Sequence, residues 1–458
     1  MRYNSPSTQL ALLSVVLLLT TVIRRLLGNY LLQEIPTDLN PVYDSYLPTS
    51  LIACLSGFVG IFLVNLVGAR AIIFAYALTS VLFCSSIVSG YKTDDLVFYK
   101  VATIIDAIGY DFGRVATLVL VLAYPSERWK ARSLALFLFM EQISMTLGDL
   151  IVMRDSGSDT TRFRVSIFAL CLNCLAPIFA LAIAPAHKIV RSNGVYLIAR
   201  ESNLREELCG IVAIFKNKYM LLLLPYMFSY PFLFGAANVP FPSILAIILY
   251  DIGRIFVMLM SLMLDVPWSN RRVRSLVSMG MLVVFTAVSA IVTLVIRERT
   301  VDKSGIDPSW SDMKANNYIF DLVIKKDGPL LYTSYFFAGV ASSFVELYGF
   351  WVIGTLTNDI KTSARFVGTY LSVMSIGGLV GYQLVKNIPH KYTTSNIPTY
   401  ISASLTAVSF VFLYFVVRRI SDTNDWTLGS IDAHNSHADL STESVTIVAD
   451  VKYQHLDE

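Results

Sequence analysis

The sequence is poor in charged residues. Only 15% of its 458 residues are Asp, Glu, Lys or Arg, while 55% are hydrophobic, and about a quarter is the usual charged share in a soluble domain. The net charge of +3 is too small to indicate a nucleic-acid partner. We therefore exclude a soluble domain and expect the lipid bilayer to be the main partner of the chain.

Residues and motifs that carry chemistry are also scarce. None of the five histidines has metal-ligand spacing, and no Walker loop, H-E-x-x-H sequence, nucleophile elbow or dinucleotide fingerprint is present. Cys171 and Cys174 form a CxxC pair, but in an apolar run small packing residues explain the pair better than redox or metal chemistry does. We expect no enzyme, no cofactor and no metal site.

Long apolar runs are abundant instead. Runs of about 20 residues, enough to cross a hydrocarbon core of about 30 Å, recur along the chain and predict an all-α integral membrane protein with twelve spans. A count of eleven is the alternative, because the first and seventh spans have the weakest signals. The predicted spans are 9–32, 47–66, 71–90, 97–123, 133–152, 165–184, 219–238, 241–264, 275–296, 329–351, 362–385 and 398–417.

The spans fall into two sets of six. A polar, basic segment separates them, and the loop "GIFLVNLVGAR" after the second span is echoed by "LMLDVPWSNRRVR" after the eighth. This pattern indicates a transporter-type repeat. We predict an N-terminal six-helix bundle over 1–185, a cytoplasmic linker over 186–216, a C-terminal bundle over 217–417 and a disordered cytoplasmic tail over 418–458.

The distribution of positive charge predicts the orientation. With both termini in the cytoplasm, most loop arginines and lysines lie on the cytoplasmic side, as the positive-inside rule requires. The residues concerned are Arg70, Arg128, Lys130, Arg132, Arg271, Arg272, Arg274, Lys361, Arg418 and Arg419.

Three motifs resemble those of a known family. The paired loops resemble the signature loops of the major facilitator superfamily through Gly60, Asn65, Gly68 and Arg70 in the first half and Asp265, Arg271 and Arg272 in the second. "YPSERWKAR" holds Tyr124, Pro125 and Glu127, and "LYGFWVIGTLTND" holds Gly349, Trp351, Gly354, Asn358 and Asp359. Together these motifs resemble the Unc-ninety-three-like family, especially its fungal-type members, over about 47–384.

The resemblance implies the twelve-helix major facilitator fold with six-plus-six pseudo-symmetry, and conformational-switch roles for the paired loops. The family contains transporters as well as regulators of ion channels and of receptor trafficking, so it fixes a fold more firmly than a function. In "YLSVMSIGG", a leucine and a methionine stand where the family pattern has lysine and glutamine.

Ionisable residues inside the spans are the candidate solute or ion pathway, because a charge at the bilayer centre is costly and usually faces a cavity. They are Asp106, Asp111, Arg114, Glu141, Asp251, Arg254 and Glu346. At 100° per residue, Arg114 lies about 60° from Asp111 and about 80° from Asp106, so we expect both carboxylates to flank it. Asp251 and Arg254, three residues apart, are expected to form a neutral pair. Glu141 and Glu346 need partners from other helices.

Arg24 and Arg25 interrupt the first span and have three interpretations. They can anchor the helix at the membrane interface, since Arg24 lies roughly 22 Å along it from Gln9. Alternatively, Arg24 enters the cavity and pairs with Glu141 or Asp111, while Arg25 points elsewhere. As a third alternative, the span is a cleaved signal peptide.

Two functions are compatible with these features. The first is a secondary carrier that moves a small solute or ion, with proton coupling as an option, by alternating access. The second is a non-transporting protein that regulates or escorts a channel or receptor as a membrane-protein partner. The tail sequence "YQHL" (Tyr453 to Leu456), which resembles a sorting signal, and the lost family residues favour the second.

Overall fold

The chain folds into a bundle of long α-helices. A computed structural model describes residues 3–34, 41–93, 96–125, 129–154, 159–185, 188–189, 203–237, 244–266, 269–304, 313–357, 359–387 and 397–420. Helices are expected because an apolar segment in lipid must satisfy its backbone hydrogen bonds internally. They are α1 Pro6–Glu34, α2 Pro41–Leu66, α3 Ala69–Thr93, α4 Leu96–Ala123, α5 Lys130–Arg154, α6 Asp159–Asn173, α7 Leu175–Leu181, α8 Leu204–Ile214, α9 Lys218–Ala237, α10 Ile244–Ile255, α11 Val257–Asp265, α12 Arg271–Ser304, α13 Met313–Leu356, α14 Ile360–Asn387 and α15 Ile397–Val417.

The all-α membrane class is as predicted, while the count of twelve spans is only partly supported. Within the described residues nine segments are long and apolar enough to cross a membrane, and the pair α8 and α9, bent by 76°, makes a tenth candidate. Helices α4 and α14 have 28 residues each, which is long enough to span, but they are more polar. Adding both to the ten would give the twelve predicted spans.

The sixth and eighth predicted spans are each broken into two helices, α6 with α7 and α10 with α11. For the sixth span the cause is Pro177 in the first turn of α7. It has no N–H to donate to the preceding turn, which weakens the helix at this position.

We call α1–α7 the first half and α9–α15 the second half. The halves meet where α2 packs on α14 and where α5 packs on α10 and α11. Helix α13 is central: 83% of the residues in its most apolar stretch are buried, whereas the corresponding share in α12 is 28%. The "linker end" of the bundle is the end at which α2, α4, α11 and α13 finish and α8 lies.

Two glycines allow α2 and α14 to approach closely. A Cβ atom on Gly57 would overlap the carbonyl oxygen of Gly368 and the side chain of Ser372, and one on Gly368 would overlap the carbonyl oxygen of Gly57. The backbone N–H of Phe58 donates to Oγ of Ser372 at 3.1 Å. The contact between the halves therefore depends on the absence of a side chain at both positions.

This contact predicts opposite effects for two chemically identical substitutions. Gly57→Ala should lower the melting temperature of the purified protein, because overpacking a tight contact costs roughly 1–3 kcal/mol. The matched control is Gly280→Ala on α12, where a Cβ would meet nothing within 4 Å. It should keep or raise the melting temperature, since alanine is the better helix former by about 1 kcal/mol. Equal effects of the two substitutions would contradict the close approach.

Candidate functional site

A buried carboxylate joins the two halves near the middle of the bundle. Glu346 on α13 is 2% exposed and accepts from two arginines. Arg114 on α4 donates through Nη2 to its Oε1, and Arg254 on α10 donates to its Oε2 at 2.7 Å. We call these three residues the central triad. It contains two cations and one anion, so one positive charge needs a further partner.

That partner is close by. Glu141 on α5 interacts electrostatically with both guanidinium groups and accepts from the hydroxyl of Tyr110 at 3.3 Å. On the other side of the triad, the hydroxyls of Tyr230 and Tyr250 lie 2.7 and 3.0 Å from Oγ of Ser342. The triad is therefore surrounded by polar groups from both halves.

Several polar atoms at this place have no hydrogen-bond partner among the described residues. They are Nε of Arg114, Nε of Arg254, Oε2 of Glu141 and the hydroxyl of Tyr370, all buried. An unpaired buried polar atom is costly and is rare in native proteins. These donors and acceptors are contributed by α4, α5, α10 and α14, so both halves place unpaired polar atoms around the triad.

The two pairings predicted within single helices are wrong. Arg114 pairs with Glu346 and not with Asp106 or Asp111, and Arg254 also pairs with Glu346 and not with Asp251. Two residues on the same face of one helix need not form a salt bridge when a carboxylate on a facing helix lies closer to the guanidinium group. Glu346 therefore forms salt bridges with both arginines, and the three aspartates interact with other residues.

The salt bridge of Arg24 is to Asp106, which the sequence did not predict; of its two predicted partners, Asp111 interacts with it electrostatically. Nε of Arg24 lies 3.2 Å from Oδ2 of Asp106 on α4, and its guanidinium sits over the ring of Tyr110 at 4.2 Å. The Asp111 carboxylate also interacts with Ser56 on α2. The long Arg24 side chain reaches Asp106 although α1 itself packs mainly on α5 and α7.

Arg25 belongs to a second charged cluster that joins the halves. It donates to both carboxylate oxygens of Asp149 on α5, at 2.9 and 3.1 Å, and Asp149 interacts electrostatically with Asp251 on α10. We call Arg25, Asp149 and Asp251 the carboxyl pair cluster. The expectation that only one of the two adjacent arginines engages the interior is therefore wrong, since α4 and α5 each offer a carboxylate.

Sequence reasoning missed Asp149. Asp149 directly follows Gly148 on α5. A Cβ atom on Gly148 would come within 3.0 Å of Arg25 Cβ, so α1 and α5 are unusually close there. The available signal was an aspartate in the apolar run "TLGDLIVM", close to the end of the predicted fifth span.

The linker end is held by contacts from one half to the backbone of the other. Asp265 at the end of α11 accepts from the backbone N–H groups of Ala131 and Arg132, at 3.3 and 2.8 Å, and so caps the first turn of α5. Lys130, predicted to be a loop charge, is 2% exposed and donates to the carbonyl of Gly354 at 2.7 Å. Both contacts join α5 to the second half.

The linker helix α8 makes a further tie at this end. Glu207 accepts from Asn65 at 2.9 Å and from Arg365 on α14 at 3.0 and 3.1 Å. Gly210, one turn further on, leaves room for the Arg365 guanidinium. The buried carboxylate of the linker therefore bridges a residue of the first half and a residue of the second.

The remaining loop residues have local roles. Gly68 has a φ of 95°, which favours glycine in the turn between α2 and α3, and Arg70 donates to the carbonyl of Leu181. A Cβ on Gly60 would come within 3.1 Å of Val115. Arg271 lies over the ring of Trp351 at 5.6 Å, and Arg272 is exposed.

The family-motif residues lie at the same end. Tyr124 is 1% exposed, Pro125 is buried, and a Cβ on Gly349 would overlap the Tyr370 hydroxyl. Asp359 caps α14 by accepting from the backbone N–H of Thr362 at 2.8 Å. The other two motif residues, Glu127 and Asn358, lie outside the described residues, as does the tail beyond residue 420.

The comparisons with solved structures identify the fold. The transporter FucP, of which another crystal structure is described as the E. coli fucose:proton symporter, superimposes with a TM-score of 0.58 over 89% of this chain and 98% of its own, at 12% identity. The proton:xylose symporter XylE gives 0.58 over 92% and 98%, at 13% identity. The human organic anion transporter MFSD10 gives 0.53 over 88% and 98%, at 14% identity. Identities this low show the fold alone.

The sequence comparisons agree with the motif resemblance. An UNC93-like protein of Schizosaccharomyces pombe is 24% identical over 290 residues, 59% of this chain and 55% of its own length. That alignment spans about half of the fungal relative. UNC93-like protein 1 of Arabidopsis thaliana is 23% identical over 384 residues, 78% of this chain and 79% of its own length. The chain is similar to UNC93-like proteins and has the major facilitator fold. No family model matches it.

The central triad predicts a strong effect of charge removal. Glu346→Gln should lower the melting temperature markedly, because it breaks both salt bridges and leaves Glu141 as the one nearby carboxylate for two guanidinium groups, and breaking a buried ion pair costs roughly 3–5 kcal/mol. The double variant Glu346→Gln/Arg254→Gln should recover part of this loss, since it removes one of the stranded charges.

The control is Glu206→Gln. The Glu206 side chain is 53% exposed, and its carboxylate forms a salt bridge of 3.4 Å to Lys361. Surface pairs contribute roughly 0–1 kcal/mol, so its melting temperature should stay close to that of the wild type. Thermal unfolding followed by tryptophan fluorescence in one detergent compares all four proteins. If the Glu346→Gln protein is as stable as the Glu206→Gln protein, the central triad does not stabilise the fold.

Proposed function

We propose that this protein is a proton-coupled secondary carrier that moves a small polar solute by alternating access, with the solute binding at the central triad. The observation that carries the proposal is the set of unpaired buried atoms on Arg114, Arg254, Glu141 and Tyr370. They come from helices of both halves, as expected for a site that is exposed to each side in turn.

The donors and acceptors define the kind of solute. The two guanidinium Nε–H groups and the phenol can donate to solute oxygens, while the free oxygen of Glu141 can accept from a solute hydroxyl. A solute that bonds to both Arg114 and Arg254 would contact both halves at once. Its binding free energy could then depend on how the halves are arranged, which a carrier requires.

The carboxyl pair cluster supports proton coupling. Two facing carboxylates repel each other when both are ionised, so a transported proton bound at Asp251 would remove this repulsion. The charged groups around them are Arg25 on α1 and, more remotely, Arg254 on α10. Because Asp149 belongs to the first half and Asp251 to the second, loss of that proton would weaken a contact between the halves.

The relatives agree with this proposal without defining the solute. FucP and XylE are by name proton symporters, which supports the coupling ion, but the low identity gives no reason to carry their sugars over. Orientation with both termini in the cytoplasm, and the division into bundles over 1–185 and 217–417, remain parts of the proposal. The solved structures of similar fold, which are transporters, do not favour the second candidate, a non-transporting regulator; its support is the leucine and methionine of "YLSVMSIGG" and the tail sequence "YQHL".

Ligand-dependent stability tests the solute site. The purified protein is screened at pH 5.5 and 7.5 against neutral sugars, carboxylic acids, amino acids and inorganic anions. We expect one class to raise the melting temperature saturably. Arg254→Lys should lose this effect, because lysine keeps the charge but lacks the forked geometry. The control Arg272→Lys, the same change at an exposed position, should retain it.

Uptake of the stabilising solute into proteoliposomes tests the coupling. The wild type should accumulate the solute when the lumen is more alkaline than the medium, whereas Asp251→Asn should bind it and only equilibrate it. If no compound in the screen stabilises the folded protein, the proposed solute site is wrong. If uptake does not depend on the pH gradient, the proposed proton coupling is wrong.

A further inference from the structure

A basic cavity lies at the linker end, away from the central triad. It has a volume of about 430 Å³ and is lined by Lys218, Tyr219 and Leu222 at the start of α9, and by Phe415, Arg418 and Arg419 at the end of α15. Three of these six residues are cations and none is acidic. The cavity therefore has one sign of charge and an apolar wall.

The three cations are available to a ligand. Lys218, Arg418 and Arg419 are all exposed, and within the described part of the chain none of them forms an ion pair. The Lys218 ammonium lies 5.2 Å from the centre of the Tyr219 ring. Grouped cations without counter-charges repel one another, so a bound anion would relieve a cost that the free protein bears.

The position of the cavity indicates that the anion belongs to a lipid headgroup. It opens where two apolar helices end, which is the depth of lipid headgroups in a membrane. Next to it, the outer face of α15 is apolar and exposed, with Val411 at 57%, Tyr414 at 44% and Phe415 at 45%. An acyl chain can lie along this face, whereas a free inorganic anion would gain nothing from it.

We propose that this cavity binds the headgroup of an anionic phospholipid, with Lys218, Arg418 and Arg419 contacting the phosphate and its acidic substituent. Basic pockets between membrane helices are suited to such headgroups. If the linker end faces the cytoplasm, as the positive charges predict, the cavity faces the leaflet in which anionic lipids are concentrated. The site is independent of the carrier proposal, because its residues lie outside the triad and the carboxyl pair cluster.

Native mass spectrometry of the detergent-purified full chain tests the proposal. Dioleoylphosphatidylserine and dioleoylphosphatidylcholine, which share acyl chains, are titrated separately. We expect the serine lipid to bind more tightly, and Arg418→Gln/Arg419→Gln to weaken its binding roughly thirtyfold while leaving the choline lipid unchanged. Lys218→Gln alone should weaken it less, and it provides the test if the double variant does not fold.

The matched control is Lys188→Gln/Arg205→Gln, which removes the same charge from exposed residues near the same end but outside the cavity. It should leave binding of the serine lipid as in the wild type. Three results would overturn the proposal: equal binding of the two lipids, an equal loss in the control pair, or displacement of the serine lipid by millimolar inorganic phosphate, which would indicate a site for a free anion.

Discussion

An ionised carboxylate is stable inside an apolar bundle only if opposite charge and hydrogen bonds replace its water. Glu346 meets this condition with one arginine from each half, and the arrangement of α4, α10 and α13 follows from it. Arg114 must approach from α4 and Arg254 from α10, so the three helices have little freedom to rotate about their axes. The close contact of α2 with α14 at Gly57 and Gly368 then brings the halves together beside this centre.

The contacts at the two ends of the bundle differ in kind. At the linker end Asp265 and Lys130 bond to backbone groups, which cannot titrate, and Glu207 adds a bridge from the linker helix. At the opposite end the halves meet where Asp149 on α5 faces Asp251 on α10, so two like groups stand opposite each other. The linker end is therefore held by charge-to-backbone and ion-pair contacts, whereas the opposite end brings two carboxyl groups together.

The sequence was sufficient for the helices and for the fold class, because a run of 20 apolar residues has one stable backbone solution in lipid. It was also sufficient to select most of the charged residues that converge on the interface, since their burial is costly wherever they lie. It could not supply their partners. The Arg114–Glu346 pair joins residues far apart in the chain, and its formation depends on how α4 and α13 are rotated. Asp149 was missed for the same reason, as its importance comes from Arg25 and Asp251 on other helices.

The two end contacts belong to the same pair of spans. Helix α5 carries Ala131 near one end and Asp149 about 27 Å further along, and the eighth span carries Asp265 and Asp251 about 21 Å apart. If the halves rock about the central triad, separation at one end of this pair brings the other end together. On the proposed function, a proton bound at Asp251 favours closure of the end at which it faces Asp149, and loss of that proton leaves two like charges that favour opening. The solute at the triad and the proton at the carboxyl pair then bias one motion, and by linkage each must change the affinity for the other.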